Sequence, residues 1–228
     1  MNIQGFQKMT LLDFPGKVAC TVFTGGCNLR CPFCHNYELV TSPCSNHNMY
    51  DEVMEYLSKR KGILDGVCVT GGEPLLQPDI EEFLKDLKKM GYLIKLDTNG
   101  SLPKKLRRVI EESLVDYVAM DIKSSPSGYE KATASSMDFG FFKESVEILE
   151  NSGVPHEFRT TAVKGIHTAV DFEQIGKLLE GTEKYFIQNF KDSQFVPFKS
   201  FFPFSEEESE ELLNTVKKFI PTAQLRGQ

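Results

Sequence analysis

The sequence predicts an α/β fold, a partial, TIM-like (β/α)6 barrel in which one parallel sheet carries helices on its outer face. Six short apolar segments alternate with amphipathic segments along most of the 228 residues. Repeated strand–helix units indicate a parallel sheet covered by helices, and right-handed crossovers curl such a sheet in one direction. Six units are fewer than a complete eight-stranded barrel contains. An open barrel is therefore favoured, with a doubly wound sheet as the alternative.

The strands and helices follow from local composition and periodicity. The strand segments are rich in β-branched and aromatic residues and are bounded by Gly, Asp or Asn; they are residues 18–23, 66–70, 92–98, 117–123, 156–163 and 185–190. The clearest helix has apolar residues at the i, i+3, i+4, i+7 spacing of one buried face, at Ile80, Phe83, Leu84 and Leu87. Other helices are predicted at about residues 49–60, 103–114, 139–151, 171–180 and 205–220.

Composition and charge narrow the class of protein. We expect one domain over residues 1–228, with residues 1–16 as an N-terminal extension that leads into the barrel. The net charge of −6 argues against general nucleic-acid binding, which needs a basic surface. The first residues show no signal-peptide pattern, and no apolar segment reaches membrane-spanning length. Three of the six cysteines lie in one short run, which favours a reducing compartment, so we expect a cytoplasmic protein.

The cysteine run GGCNLRCPFCHN (25–36) is the most informative motif. Its CxxxCxxC spacing places three cysteines within eight residues, at Cys27, Cys31 and Cys34. An iron–sulfur cluster is usually held by four cysteines, so three leave one iron with an open position for a substrate. The alternative is a structural zinc site, which needs four ligands and would require Cys20 or Cys44 to complete it. The spacing favours the cluster.

Two further motifs follow the next predicted strands. In parallel α/β folds, functional residues collect where strands end and loops begin. TGGEP (70–74) offers Gly71 and Gly72, whose backbone can approach a ligand closely, and the carboxylate of Glu73. LDTNG (96–100) contains Asp97, for which the alternative role is helix capping beside a turn. Both motifs predict polar groups at the carboxyl edge of the sheet.

The fourth predicted strand ends in MDIK (120–123). Because strand side chains alternate between faces, Asp121 and Lys123 share one face of the sheet. In an open barrel both side chains point into the same pocket. The alternative is an internal ion pair that only joins strands. Later in the chain, strand alternation makes further polar residues candidates for the same pocket: Arg159, Thr161 and either Gln188 or Asn189.

Residues 9–40, which contain TLLDFPGKVACTVFTGGCNLRCPFCHNYEL, resemble the opening of the radical S-adenosylmethionine (radical SAM) glycyl-radical-enzyme activases. The anaerobic ribonucleoside-triphosphate reductase activating proteins are the most similar, with the pyruvate formate-lyase activating enzymes nearby. TGGEP, DTNG and MDIK follow in the order of that family. The resemblance covers most of residues 5–165 and implies a partial barrel of the radical SAM type.

The resemblance implies a role for each motif. Cys27, Cys31 and Cys34 would ligate a 4Fe–4S cluster whose open iron binds S-adenosylmethionine. Gly71, Gly72 and Glu73 would hold the amino end of that molecule, and Lys123 would contact its carboxylate or ribose. Lys123 and Asp97 are the candidate catalytic residues. Thr98 and Asp121 lie beside Asp97 in this scheme, and in the pyruvate formate-lyase activators the counterparts of these three residues help to hold a monovalent cation.

Three further residues receive roles by the same resemblance. His35 and Asn36 follow the last cysteine and would tune the cluster or order its loop; the alternative for His35 is a surface position. Asp13, in DFPG, matches a family position that contacts the peptide loop of the partner protein. The alternative for Asp13 is a plain turn residue before Pro-Gly.

The implied activity is reductive cleavage of S-adenosylmethionine to a 5′-deoxyadenosyl radical, which abstracts hydrogen from a glycine of a partner glycyl radical enzyme. Anaerobic ribonucleotide reductase is the implied partner, and flavodoxin or ferredoxin the implied electron donor. The chain itself has no glycyl-radical motif such as RVxGY. Two alternatives are a radical SAM enzyme that acts on a small molecule and a non-catalytic iron–sulfur or zinc module.

Overall fold

The computed structural model describes residues 1–41 and 49–227, and its strands form one eight-stranded sheet in sequence order. β1 (Ile3–Thr10) pairs antiparallel with β2 (Ala19–Thr24), and every later pair is parallel. The later strands are β3 (Gly66–Gly71), β4 (Leu93–Thr98), β5 (Tyr117–Asp121), β6 (His156–Ala162), β7 (Tyr185–Asn189) and β8 (Gln224–Arg226). Because β1 and β8 are the two edges, the barrel is open, as predicted.

Eight α-helices occur in the described residues and connect the strands. They are α1 (Tyr37–Thr41), α2 (Met49–Ser58), α3 (Ile80–Lys89), α4 (Pro103–Glu111), α5 (Tyr129–Thr133), α6 (Gly140–Ser152), α7 (Ala169–Leu178) and α8 (Glu206–Lys217). The acidic run at the start of α8 forms a capping box, in which Ser205 and Glu208 each accept a hydrogen bond from the other's backbone N–H. No helix of the described ranges is long and apolar enough to cross a membrane.

The six predicted strands and six predicted helices are all present, and the described residues add two strands, two α-helices and a short 3₁₀ helix at Pro74–Leu76. β1 and β8 are the edges of the sheet, and α1 and α5 are helices of five residues each. β1 lies inside the predicted N-terminal extension, where IQGFQKMT shows no clean alternation of apolar and polar residues. β8 has three residues, too few for a periodic signal. That residues 1–228 form a single domain stays a prediction.

The two faces of the sheet differ in chemistry. The face toward the helices is apolar and fully buried, as at Val22, Val69 and Leu96. Side chains on the alternate positions point into the barrel, and on the central strands many of these are charged: Lys95, Asp97, Asp121, Glu157 and Arg159. The chain therefore has an outer apolar core and an inner polar face, the latter leading to the cavity at the carboxyl edge.

The last strand is held by one interior ion pair. Arg226 donates two hydrogen bonds to the carboxylate of Glu157, at 2.7 and 3.0 Å, and its guanidinium lies 3.5 Å from the centre of the Phe186 ring. The hydroxyl of Tyr117 donates to the same carboxylate at 3.0 Å. β5, β6, β7 and β8 are thereby joined across the barrel interior.

Glu157→Gln is expected to lower the free energy of unfolding at pH 7 by about 1–3 kcal/mol, because a charged hydrogen-bonded acceptor is lost from a buried site. Burial raises the pKa of Glu157, but Arg226 outweighs it and holds that pKa below its ordinary value. A depressed carboxyl pKa contributes stability above the unfolded-state value of about 4.3 and loses it as pH falls further. Denaturant titrations should therefore show the difference at pH 7 and its loss below about pH 4.

Glu144→Gln is the matched control, because Glu144 forms a surface ion pair with Arg107 at 3.4 Å. Such pairs contribute about 0–1 kcal/mol. A Glu157→Gln protein as stable as the wild type at pH 7 would show that the interior pair does not hold β8.

Candidate active site

One cavity of about 250 Å³ opens at the carboxyl ends of the parallel strands. Most of the residues predicted for the site line it: Cys27, Cys31, Cys34, His35, Asn36, Gly71, Gly72, Asp97, Thr98, Asp121 and Lys123. Arg159, Thr161 and Gln188 complete the wall from β6 and β7. Residues separated by about 160 positions in the sequence therefore meet because parallel strands end at the same edge.

The cysteine loop connects β2 to α1 and is held by its backbone. Gly26 N–H donates to the Leu39 carbonyl at 2.8 Å, and Arg30 N–H donates to the Thr133 carbonyl at 2.8 Å. The floor of the loop is apolar, since Leu29 and Phe33 are buried in the main core cluster. Backbone pairing and burial together fix the path of the cysteines beside the cavity.

Gly71 and Gly72 are required by the approach of this loop to β3. A Cβ atom on Gly72 would lie 1.9 Å from the carbonyl oxygen of Gly26, and one on Gly71 would lie 2.3 Å from the backbone nitrogen of Thr24. Gly71 also has φ +121, in the region that favours glycine. The glycine pair thus allows the backbone of β3 to pack against the cysteine loop. Contact of the same pair with a ligand stays a prediction.

The three cysteines fit the donor set of an iron–sulfur cluster. All three are free thiols that line one cavity, and Cys31 is the most buried, at 8% exposure. Burial raises the pKa of each thiol, that of Cys31 to about 12, whereas the charge of Lys123 lowers all three values. Thiolates are the ligating form, so a cation at this position favours ligation.

The zinc alternative requires a fourth ligand beside the three cysteines. Within residues 1–41 and 49–227, no group of three or more His, Cys, Asp or Glu side chains is arranged to hold one metal ion. Cys20, considered as a fourth ligand, is fully buried on the outer face of β2. Cys44, the other candidate, lies outside the described residues.

Charged side chains below the cysteines form a connected network. The Nε atom of Arg159 lies 2.8 Å from Asp121 Oδ1, and one terminal nitrogen of Arg159 lies 3.3 Å from Asp97 Oδ2. Lys123 Nζ donates to Asp121 Oδ2 at 2.9 Å, and Lys95 Nζ binds Asp97 Oδ1. Burial raises the pKa of Asp121, but Arg159 and Lys123 outweigh it and hold that pKa well below its usual range. Burial lowers the pKa of Lys123, but Asp121 outweighs it, so Lys123 is a fixed cation.

This arrangement does not fit a monovalent cation. Both oxygens of Asp97 and both oxygens of Asp121 accept hydrogen bonds from Lys95, Arg159 or Lys123. The hydroxyl of Thr98 donates to Glu73 at 2.9 Å. A cation needs free oxygen ligands, and here side-chain cations occupy them.

Glu73 does not line the cavity but lies fully buried behind it. Its Oε1 accepts hydrogen bonds from Leu75 N–H at 3.1 Å and from the Thr98 hydroxyl, and its Oε2 accepts one from Asn99 N–H at 2.7 Å. Burial raises the pKa of Glu73 to about 7, although these three hydrogen bonds lower it. The carboxylate thus joins the loop after β3 to the end of β4. Its predicted contact with the amino group of S-adenosylmethionine stays a prediction.

Three other predicted site residues, His35, Asn36 and Asp13, each contact a different part of the structure. His35 Nε2 lies 2.6 Å from the Lys191 carbonyl oxygen, so the ring connects the cysteine loop to the segment after β7. Asn36 Nδ2 donates to the Gly71 carbonyl at 3.2 Å and orders the loop. Asp13 lies outside the cavity and accepts a hydrogen bond from the Thr21 hydroxyl at 2.5 Å. Because Thr10 of β1 pairs with Ala19, Asp13 approaches the barrel from its amino end.

No sequence pattern pointed to His167, or to Asn99, whose side chain lies beside Cys27. His167 accepts a hydrogen bond from Val163 N–H at Nδ1, so Nε2 carries the proton and donates to the Lys123 carbonyl at 2.8 Å. Burial lowers the pKa of His167, which favours this neutral form. Asn189, a candidate for the pocket, instead hydrogen-bonds the backbone of Phe204. No local pattern marks these contacts, since the partners of His167 include a residue 44 positions away.

Comparison with known proteins identifies the family. A family model described as "Radical SAM superfamily" matches residues 21–179, which is more than half of the chain. The Methanocaldococcus jannaschii protein named "Putative glycyl-radical enzyme activating enzyme MJ1227" is 30% identical over 98% of this chain and 95% of its own length. The pyruvate formate-lyase-activating enzyme of Clostridium pasteurianum is 31% identical over 67% of this chain and 65% of its own length.

Solved structures share the fold at low identity. A domain of pyruvate-formate lyase-activating enzyme from Bacteroides vulgatus superposes with a TM-score of 0.57 at 16% identity, over 71% of this chain and 99% of that one. Streptococcus suis SuiB bound to S-adenosylmethionine gives 0.70 at 14% identity, over 89% of this chain and 48% of SuiB. The full-length sequence match, the family match and the cysteine cavity agree. The chain belongs to the radical SAM superfamily, and within it to the family of glycyl-radical-enzyme activating enzymes.

Proposed function

We propose that this chain abstracts a hydrogen atom from a glycine Cα of a partner glycyl radical enzyme, and that the partner is anaerobic ribonucleotide reductase. The hydrogen passes to a 5′-deoxyadenosyl radical and leaves as 5′-deoxyadenosine, while the unpaired electron stays on the glycine. The observation that carries the proposal is the meeting of the three cysteines and the charged network on one cavity. The full-length match to an activating enzyme supports a protein as substrate.

The cofactors of this family are a 4Fe–4S cluster and S-adenosylmethionine, which when bound supply one-electron reductive cleavage to methionine and the 5′-deoxyadenosyl radical. Cys27, Cys31 and Cys34 would hold the cluster. The ammonium of Lys123, charged and fixed by Asp121 at 2.9 Å, would bind the carboxylate of S-adenosylmethionine. The buried side chains of Leu29 and Phe33 keep water from the floor of the site.

Lys123→Ala is expected to weaken S-adenosylmethionine binding about 10- to 100-fold, because one charge-assisted hydrogen bond is worth roughly 1.5–3 kcal/mol. The cluster should still assemble, since all three cysteines remain, but less readily, because the charge of Lys123 no longer lowers the pKa values of their thiols. Equilibrium binding and iron content measured on the same anaerobic sample separate the two effects. Lys131→Ala is the control, because Lys131 is an exposed lysine that binds the Gly165 carbonyl. Unchanged affinity in Lys123→Ala would show that Lys123 only forms a structural ion pair with Asp121.

The partner contact is proposed to involve Asp13 and the exposed apolar residues before it, as a docking surface at the amino end of the barrel that is separate from the cavity that receives the glycine. Met9, Leu11 and Leu12 are all solvent-exposed, and Leu12 reaches 91% exposure. Exposed large apolar side chains that lie together are typical of interaction sites. The Asp13 carboxylate beside them keeps one oxygen free of the Thr21 hydrogen bond and could accept a backbone N–H of the partner.

Asp13→Ala is expected to leave 5′-deoxyadenosine formation within about twofold of wild type and to lower glycyl radical yield about 10-fold, since a lost hydrogen bond to a charged group costs roughly 1.5 kcal/mol. Thr21→Val is the matched control, because it removes the Asp13–Thr21 hydrogen bond and keeps the carboxylate. Electron paramagnetic resonance quantifies the glycyl radical. Equal losses in Asp13→Ala and Thr21→Val would assign Asp13 a structural role only.

The test of the proposed function is an anaerobic assay. The protein is reconstituted with iron and sulfide, reduced with flavodoxin or ferredoxin, and mixed with S-adenosylmethionine and candidate partner enzymes. A glycyl signal that requires anaerobic ribonucleotide reductase supports the proposal. Cleavage coupled to a small molecule, with no glycyl signal from any partner, would favour the small-molecule enzyme. A bound cluster that yields no 5′-deoxyadenosine with any partner would indicate the non-catalytic module.

A further inference from the structure

Asn99, the residue after β4, has every polar group of its side chain engaged beside the first cysteine. Its Nδ2 lies 3.6 Å from Cys27 Sγ and 3.1 Å from Asn28 Oδ1, and its Oδ1 accepts a hydrogen bond from Ser101 N–H at 2.9 Å. The side chain is 5% exposed. A buried amide whose oxygen and nitrogen both have matched partners holds one orientation.

The partners determine which way the amide faces. Ser101 N–H can only donate, so the Asn99 oxygen must lie toward it. With its oxygen held by Ser101 N–H, Asn99 donates from Nδ2 to Asn28 Oδ1 at 3.1 Å, and this contact in turn leaves Asn28 Nδ2 facing the Ser101 hydroxyl, which can donate or accept, at 2.8 Å. These hydrogen bonds therefore direct the Asn99 amide nitrogen toward Cys27 Sγ.

The backbone of Asn99 is fixed by Glu73. Glu73 Oε2 accepts the hydrogen bond from Asn99 N–H at 2.7 Å, and the carboxylate is itself fully buried. A hydrogen bond of this length to a fully buried side chain fixes the backbone at Asn99. Glu73 thus connects to Cys27 through Asn99, although the Glu73 side chain does not line the cavity.

We infer that Asn99 is a positioning residue that donates an N–H hydrogen bond to the Cys27 sulfur and thereby raises the reduction potential of the cluster, with Glu73 fixing its backbone. The potential of a cluster depends on hydrogen bonds to its sulfur atoms. Reduction adds negative charge to the cluster and its thiolates, so an N–H dipole that points at sulfur stabilises the reduced form more than the oxidised form. The inference requires the cluster but not the identity of the partner.

The test is a redox titration of the reconstituted cluster in Asn99→Asp, Asn99→Ser and wild type, followed by electron paramagnetic resonance of the reduced form. Asn99→Asp keeps the oxygen that accepts from Ser101 N–H and replaces the N–H donor with an oxygen. Asn99→Ser keeps local turn chemistry but is too short to reach the sulfur. Both variants should show a more negative midpoint potential and a smaller reduced fraction at a fixed potential. If Asn99→Asp does not assemble a cluster, Asn99→Ser carries the test.

Ser101→Ala is the matched control, because it breaks the Asn28–Ser101 hydrogen bond of the same network without removing a donor to sulfur. Its midpoint potential should equal that of the wild type. A wild-type potential in the Asn99 variants that assemble a cluster would overturn the inference. An equal shift in Ser101→Ala would also overturn it, because loop order rather than the hydrogen bond would then set the potential. The proposed activity can fail without affecting this result, since no partner enzyme is present.

Discussion

Cys31→Ala is expected to abolish cluster assembly and S-adenosylmethionine cleavage together. Cys31 is the middle cysteine of the motif and the most buried of the three, so alanine would leave two thiols, too few to hold the cluster. Formation of 5′-deoxyadenosine should fall by more than about 100-fold, above the effect of residues that only orient a ligand. Iron and sulfide content, visible absorbance and 5′-deoxyadenosine measured on one anaerobic preparation check the result.

Cys20→Ala is the matched control for that experiment. Cys20 is a buried free thiol in the outer core, in contact with the helix layer rather than the cavity. Its substitution removes one sulfur from β2, outside the cysteine loop, and should preserve iron content and cleavage. A Cys31→Ala protein that retained a cluster and cleaved S-adenosylmethionine would remove the basis of the proposed site.

Arg159→Met is expected to lower the free energy of unfolding by about 2–4 kcal/mol, because removal of one partner leaves buried charges uncompensated. Arg159 is the only residue of the described network that contacts both Asp97 and Asp121. Methionine keeps most of the side-chain length, so the change in charge dominates the change in packing. Binding of S-adenosylmethionine should weaken as well, since two carboxylates then repel its carboxylate. Denaturant unfolding and equilibrium binding measure the two effects.

Arg108→Met tests whether burial is the cause. Arg108 also binds two carboxylates, Glu81 at 3.0 Å and Glu112 at 3.2 Å, but it is 61% exposed. Surface ion pairs contribute about 0–1 kcal/mol, so its substitution should change stability little and binding not at all. Equal losses of stability in Arg108→Met and Arg159→Met would show that burial of Arg159 does not increase the loss of stability when its charge is removed.

Some parts of the site could be predicted from the sequence because their residues lie close together along the chain. The cysteines lie within eight residues, and their open fourth position follows from ligand count alone. Alternation along β5 predicted that Asp121 and Lys123 face the same cavity, and both line it. The strand–helix repeat predicted the sheet, because each unit has its own local periodicity.

Other parts depend on contacts between distant residues and could not be predicted. Gly71 and Gly72 suggested close approach to a ligand, yet the atoms that a side chain would meet belong to Thr24 and Gly26. Glu73 appeared as a cavity residue, but three hydrogen bonds from two loops hold it behind the wall. Its position follows from the placement of β4 beside β3, which no local pattern encodes.

The sequence by itself determined the six central strand–helix units, the three-cysteine motif and the family. These depend on spacing and periodicity, which are properties of neighbouring residues. The tertiary structure alone decided that β1 brings Asp13 to the amino end of the barrel, that Arg159 joins Asp97 to Asp121, and that Asn99 faces Cys27. The physical reason is that hydrogen-bond geometry and desolvation act between residues that only the closed sheet brings within reach.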